Sequence, residues 1–347
     1  MNITRSTPNM DFLKQIIKDS KNEYATVASD GIAAGDVESF VDTGSHIFNA
    51  LVSGSIVGGI PSNKITALAG ETGTGKTFFC LSIAKNFLET NPDAGVLYFE
   101  TESAISKEMV ESRGIDSKRL VIFPINTIEE FRTQAVRVLD KYLEQPKDER
   151  KPLMFVLDSL GMLATNKEVE DASNEKNVRD MTKAQLVKSC FRILTLKLGK
   201  ANIPMLVTNH TYDVIGSYVP AKEMGGGSGL KYSASTIVYL SKKKEKEGTD
   251  LVGNIIKCEA KKSRLTREGS KIETRLFFDH RGLDRYYGLL ELGEIGGLWK
   301  NVAGRYEIGG KKIYAKQILS DPDTYFTPDV IQALEETANK VFHYGEG

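Results

Sequence analysis

The chain has 347 residues, and 46 Lys or Arg balance 46 Asp or Glu, so the formal net charge is zero and overall charge gives no argument for a nucleic-acid partner. A hydrophobic share of 40% and a charged share of 27% are those of a globular protein and exclude a disordered or low-complexity chain. No apolar run reaches the length of a membrane span, residues 1–21 are polar rather than signal-like, and Cys80, Cys190 and Cys258 are too scattered for a disulfide framework or a thiolate metal cluster; a cytosolic protein is expected.

Residues 1–40 read as a peripheral arm. Phe12, Ile16 and Ile17 give a short helical pattern, followed by the Gly- and Ala-rich "SDGIAAGD". From 41 to 283 strands and helices alternate. Apolar runs at 65–69, 95–99, 120–124 and 152–158 predict strands, and residues 77–88 predict a helix. Ile128, Phe131, Ala135, Val138 and Tyr142 fall at helical spacing, as do Met181, Ala184, Val187, Phe191, Leu194 and Leu198 before a strand ending at Asn209. Such alternation predicts an α/β fold with a mainly parallel sheet covered on both faces. Three strand-like runs between 233 and 279 predict an antiparallel extension, and 284–347 a small α+β carboxyl-terminal lobe. Within 241–275 eleven Lys or Arg face six Asp or Glu, which fits a solvated hairpin face as well as a functional patch.

The chemistry concentrates in Gly70, Glu71, Thr72, Gly73, Thr74, Gly75, Lys76 and Thr77, which match G-x-x-x-x-G-K-[ST] between a strand and a helix. Glycines let backbone N–H groups converge on phosphate oxygens at a helix start. Lys76 is expected on the β- and γ-phosphates and Thr77 on Mg²⁺, with ATP as the nucleotide. Asp158 closes the strand "LMFVLD" in the Walker B manner, a second expected Mg²⁺ residue. Glu100 and Glu102 in "YFETES" are both candidates to orient the attacking water. His210, in "TNHT", ends a strand parallel to these and is placed to hydrogen-bond a γ-phosphate oxygen.

The stretches "GETGTGKT", "LYFETES", "FVLDSLG", "KEVEDASNEKNVRDMTKA", "TNHT" and "GGGSGLKYSAS" make residues 43–314 resemble the RecA-type recombinases, and among them the phage UvsX branch. The first three are shared by many ATPases and the last three are narrower. The resemblance implies a RecA-like P-loop core and an oligomerisation role for the amino-terminal arm. It also implies an ATP-dependent helical filament on single-stranded DNA that pairs with homologous duplex DNA, served by a recombination mediator and a single-stranded-DNA-binding protein. It makes Glu102 rather than Glu100 the catalytic carboxylate and puts His210 where relatives carry a glutamine sensor. It assigns 166–179 and 211–229 to two DNA-binding loops, Ile215 to a wedge between bases, and Lys262 and Arg264 to the ATP of a neighbouring subunit. Lys176 and Arg179 are then expected at DNA phosphates, and Gly225, Gly226, Gly227 and Gly229 in a loop ordered by its ligand.

Two departures stand out. Met109 occupies the position of an adenine-stacking tyrosine, and no acidic tail precedes Gly347, so tail-based control is expected to be weak. A RecA-fold ring helicase shares the P-loop and Asp158 but calls for a larger helical amino-terminal domain; a small-molecule kinase calls for an acceptor pocket, and a DNA-coating protein makes Glu102 superfluous.

Overall fold

The computed structural model describes residues 10–32, 34–174, 182–213, 222–225, 227–247 and 250–344. Helix α1 (Met10–Ser20) leaves Phe12, Leu13 and Ile16 exposed. β1 (Phe40–Val41) and β2 (Ile60–Pro61) form a short antiparallel ladder around the buried helix α2 (His46–Ser53). The alternating core follows as β3 (Ile65–Gly70), α3 (Lys76–Thr90), β4 (Gly95–Glu100), α4 (Lys107–Ser112), β5 (Leu120–Pro124) and α5 (Ile128–Leu143). It continues as β6 (Leu153–Asp158), α6 (Asn166–Ser173), α7 (Lys183–Ala201) and β7 (Met205–Asp213). Next come β8 (Lys222–Met224), α8 (Ser228–Ser233), β9 (Thr236–Glu247), β10 (Asp250–Ser263) and β11 (Lys271–Phe277). The chain closes with α9 (Leu289–Ile295), β12 (Lys300–Val302), β13 (Arg305–Ile308), β14 (Lys311–Tyr314), α10 (Ala315–Ser320), α11 (Pro322–Tyr325) and α12 (Pro328–Phe342).

Among the described residues the large sheet runs β11-β10-β9-β3-β7-β6-β4-β5, with β8 paired to β7. The strands from β9 through β5 are parallel, while β9, β10 and β11 are antiparallel to one another, as the helix-free sequence of that region predicts. Alternation along each strand divides the core in two. Leu68, Val96, Tyr98, Met154, Val156 and Leu206 join α2 and α3 on one face. Ile65, Ala67, Phe99, Phe155, Leu157 and Val207 join α5 and α7 on the other. On that second face Phe99 meets Phe123, Phe131 and Phe155 at centroid distances of 5.0, 5.1 and 5.6 Å. Each such pair adds about 0.5–1.5 kcal/mol beyond burial.

Local chemistry sets the helix starts. Thr127 accepts from Glu130 N, and Thr165 and Glu168 close a reciprocal capping box. The structure also revises several expectations. The polar stretch before β5 contains α4, started by the Ser106 hydroxyl accepting from Met109 N. β7 runs past Asn209 to Asp213, because β8 supplies an antiparallel partner for its last three residues. The lobe after 283 has its own small sheet, β12-β13-β14, yet Leu290, Trp299, Ile318, Leu334 and Phe342 belong to the same apolar cluster as α2. Residue 283 therefore marks a change of architecture rather than of core.

Candidate active site

β3 is buried along its whole length, as a central parallel strand must be, and delivers the glycine loop at its carboxyl end. Gly73 and Gly75 turn the chain into α3 with φ of +70° and +95°, a region that costs a residue bearing Cβ. Lys76 folds back on the loop, its Nζ donating to Gly70 O and Glu71 O at 3.0 Å each. Burial lowers its pKa from the ordinary lysine value, although the charges of Asp158 and Glu102 act the other way. Two further lysines reach the same loop: Lys242 of β9 donates to Gly73 O, and Lys222 of β8 pairs with Glu71. The sequence reading missed both, because neither lies near the motif in the chain.

Strand register brings the other candidates alongside. Gly70 lies opposite His210, and Glu100 opposite Asp158. Asp158 is buried and accepts from the Tyr98 hydroxyl at 2.7 Å and from Thr208. Burial and the Asp158 charge push the Tyr98 phenol well above its ordinary pKa, so it remains a donor. The Asp158–Ser159 peptide is cis. Thr77 and Asp158 together offer a hydroxyl and a carboxylate beside a phosphate-shaped loop, a hard-oxygen set that suits Mg²⁺. No group of three or more His, Cys, Asp or Glu forms a closed metal site among the described residues.

The two glutamates differ sharply. Glu100 is buried, and its carboxylate accepts from Glu102 N, Ser103 N and Ala104 N at 3.0, 2.8 and 2.9 Å. It shapes the turn after β4. Glu102 keeps 39% of its side chain exposed, with Oε1 2.9 Å from Ser159 Oγ and 3.5 Å from His210 Nε2. A Cβ at Gly161 would lie 2.9 Å from Asn209 Oδ1 and 3.2 Å from His210 Cδ2, so the glycine is what lets these side chains approach. Ser159 and Gly161 both sit in "FVLDSLG", but the glutamate that Ser159 meets is 57 residues away, beyond any local pattern.

Asn209 and His210 also hold the entry to the second expected DNA loop. Asn209 Nδ2 donates to Gly225 O at 2.9 Å, Gly225 N donates to His210 O at 3.0 Å, and Met224 N reaches the Tyr239 hydroxyl at 3.1 Å. The glycines there are not a uniformly loose loop. Gly225 is fixed at both backbone groups, and Gly229 is buried in α8, where a Cβ would come within 2.7 Å of Lys188 N on α7. Gly227 precedes α8 with φ of +77°. Lys176, Arg179, Ile215 and Gly226 lie outside the described residues. Residues 166–173 of the first expected loop form α6.

Lys262 and Arg264 are not brought to this site. Lys262 lies opposite Ile237, near the amino-terminal end of β3, and Arg264 N bonds Ser235 O. Lys262 Nζ donates to Lys231 O and Tyr232 O at 2.6 and 3.2 Å, and Arg264 Nη2 to Tyr232 O at 3.3 Å. Burial, and Arg264 beside it, lower the Lys262 pKa. Near Met109 the structure places an aromatic and cationic surface instead of a tyrosine. Phe78 and Phe278 meet edge-on at 6.0 Å, with the Arg113 guanidinium 4.0 Å above the Phe78 ring.

The RecA N-terminal domain model matches residues 12–283. The chain is similar to a "Recombination and repair protein" of Enterobacteria phage T4, 37% identical over 267 residues; that alignment covers 77% of this chain and 66% of the phage protein, a little under two thirds of its length. Similar too are Protein RecA of Streptomyces rimosus, 25% identical over 288 residues (81% of this chain, 72% of that protein), and Protein RecA of Nocardioides sp., 24% identical over 287 residues (81% and 77%). The glycine loop, the carboxylates and the histidine lie at the carboxyl ends of neighbouring parallel strands, and the chain belongs to the RecA family.

Proposed function

We propose that this chain is a DNA-dependent ATPase that assembles on single-stranded DNA, pairs it with homologous duplex and exchanges strands. The observation that carries this reading is the position of His210, opposite Gly70 of the phosphate loop and bonded through its carbonyl to Gly225 of the second loop. One residue touches both halves of an ATP-to-DNA coupling.

In this reading the loop amides and Lys76 hold the triphosphate. Lys76 exchanges two carbonyl acceptors for phosphate oxygens; its ammonium is charged in both arrangements, and the phosphate's opposite charge favours the exchange. Thr77 and Asp158 would hold Mg²⁺, which neutralises phosphate charge. Glu102 orients and deprotonates the attacking water, while Glu100, saturated by three backbone donors, shapes the turn. His210 leaves Glu102 for the γ-phosphate and so reports it to Gly225. The base packs on Phe78, Phe278 and Arg113, in place of a tyrosine at 109. Lys262 and Arg264 serve the nucleotide of an adjoining copy.

Assembly uses the exposed apolar side of α1. Phe12, Leu13 and Ile16 face solvent, and so do Val121 and Ile122 on the edge strand β5, at 47% and 37% exposure. No helix among the described residues is long and apolar enough to cross a membrane. ATP and DNA as ligands put the activity in the cytoplasm, with a mediator and a single-stranded-DNA-binding protein as expected partners. The test measures ATP hydrolysis and strand exchange with and without single-stranded DNA. Hydrolysis should rise with DNA, and joint molecules should form only with homologous duplex. Unwinding of duplex without pairing would instead make the chain a helicase.

A further inference from the structure

Among the described residues, two groups reach Glu102 and both stop at the same oxygen. Ser159 Oγ and His210 Nε2 lie 2.9 and 3.5 Å from Oε1. Ser159 is fully buried and its backbone is tied to one neighbour: its N–H donates to Thr101 Oγ1 at 2.8 Å, and its carbonyl accepts from that same hydroxyl at 3.2 Å. Its hydroxyl carries one proton, and the carboxylate is a pure acceptor, so Ser159 is the donor. A glutamate 39% exposed has several rotamers open to it, and the hydroxyl of a fully buried serine whose backbone is anchored selects among them.

We propose that Ser159 is a positioning residue for hydrolysis, anchoring Oε1 so that Oε2 is the atom that takes the proton. This rests on the reading of Glu102 as the base. In that step a water O–H bond breaks and its proton passes to Oε2. The water oxygen bonds the γ-phosphorus, the bond to the β–γ bridging oxygen breaks, and the electron pair leaves with ADP. When His210 turns to the γ-phosphate, Glu102 loses one of its two partners. The Ser159 hydroxyl remains, and the base keeps its direction at the moment it is needed.

The experiment is steady-state hydrolysis by the full-length protein at saturating single-stranded DNA, with nucleotide affinity measured alongside. Ser159→Ala should lower kcat roughly 10- to 150-fold, the usual worth of one hydrogen bond to a charged group, and leave KM for ATP and nucleotide affinity within about twofold. Ser159→Cys, close in size but a weak donor, should fall between. In a Glu102→Gln background, Ser159→Ala should cost nothing further, because a positioning residue acts only through the group it positions. Wild-type kcat in Ser159→Ala overturns the proposal, and so does an undiminished loss in the Gln background, which would mean a structural role. Full activity in Glu102→Gln alone is a different failure: it removes the base and the reading beneath the proposal.

Discussion

The two ends of the central sheet hold cations in the same manner and for different ends. At the carboxyl end Lys76 and Lys242 donate to backbone carbonyls of the phosphate loop, and Lys222 pairs with Glu71. At the amino end Lys262 and Arg264 donate to the last carbonyls of α8, where cations also meet the favourable end of the helix dipole. A lysine on a neutral carbonyl lacks a counter-charge, which a phosphate supplies. Among the described residues the glycine loop lies at the carboxyl end. In the proposed reading the cations at the amino end meet the nucleotide of an adjoining copy.

Lys262→Ala with Arg264→Ala is the most direct way to break that contrast. The variant should bind ATP as the wild type does, while DNA-stimulated hydrolysis falls on the order of 10³-fold or more, the usual worth of a cation supplied across an interface. Mixing it with Glu102→Gln subunits should restore part of the hydrolysis, since one copy then supplies the cations and the other the base. Normal DNA-stimulated hydrolysis in the double variant reduces the amino end to a basic surface.

The carboxyl end can be sharpened by treating its two glutamates separately. Glu102→Gln should bind ATP and lose on the order of 10²–10⁴ in hydrolysis rate. Glu100→Gln should act on stability, because an amide matches three backbone N–H donors poorly; about 1–3 kcal/mol is expected, read as a lowered denaturation midpoint. Exchanged phenotypes would reverse the assignment.

His210→Ala asks whether the carboxyl end speaks to DNA. The ratio of single-stranded-DNA affinities measured with an ATP analogue and with ADP should be about 5- to 150-fold in the wild type and near one in the variant, each ligand still binding alone. An unchanged ratio leaves the histidine as a partner of Glu102 only. The smallest effect belongs to Glu71 and Lys222, both largely exposed at 59% and 44%. Reversing either charge should weaken the nucleotide-dependent part of DNA binding, and reversing both should restore it. The coupling should stay at or below about 1 kcal/mol, as for other exposed pairs. A coupling of zero would mean that Lys222 belongs to the solvent.

Much of this was legible in the chain itself. An unbroken apolar run ending in a glycine loop and followed by a helical repeat admits few structures, so β3, the phosphate loop and α3 could be read within a residue or two. Periodicity also gave α5 and α7, and the absence of helical spacing gave the antiparallel β9–β11. These are signals of nearest neighbours and of a single face, carried by adjacent residues. What tertiary structure alone decided was which polar side chains meet. Glu100 and Glu102 are indistinguishable as two acids at a strand end; they separate because the turn folds three N–H groups onto the first and leaves the second to Ser159, 57 residues away. The same holds for Lys222 on Glu71, for Gly229 against α7, and for Lys262 and Arg264 at the far end from the cradle. Hydrophobic spacing fixes which face of an element is buried; the register between strands, set only when the sheet closes, fixes which charges stand opposite each other.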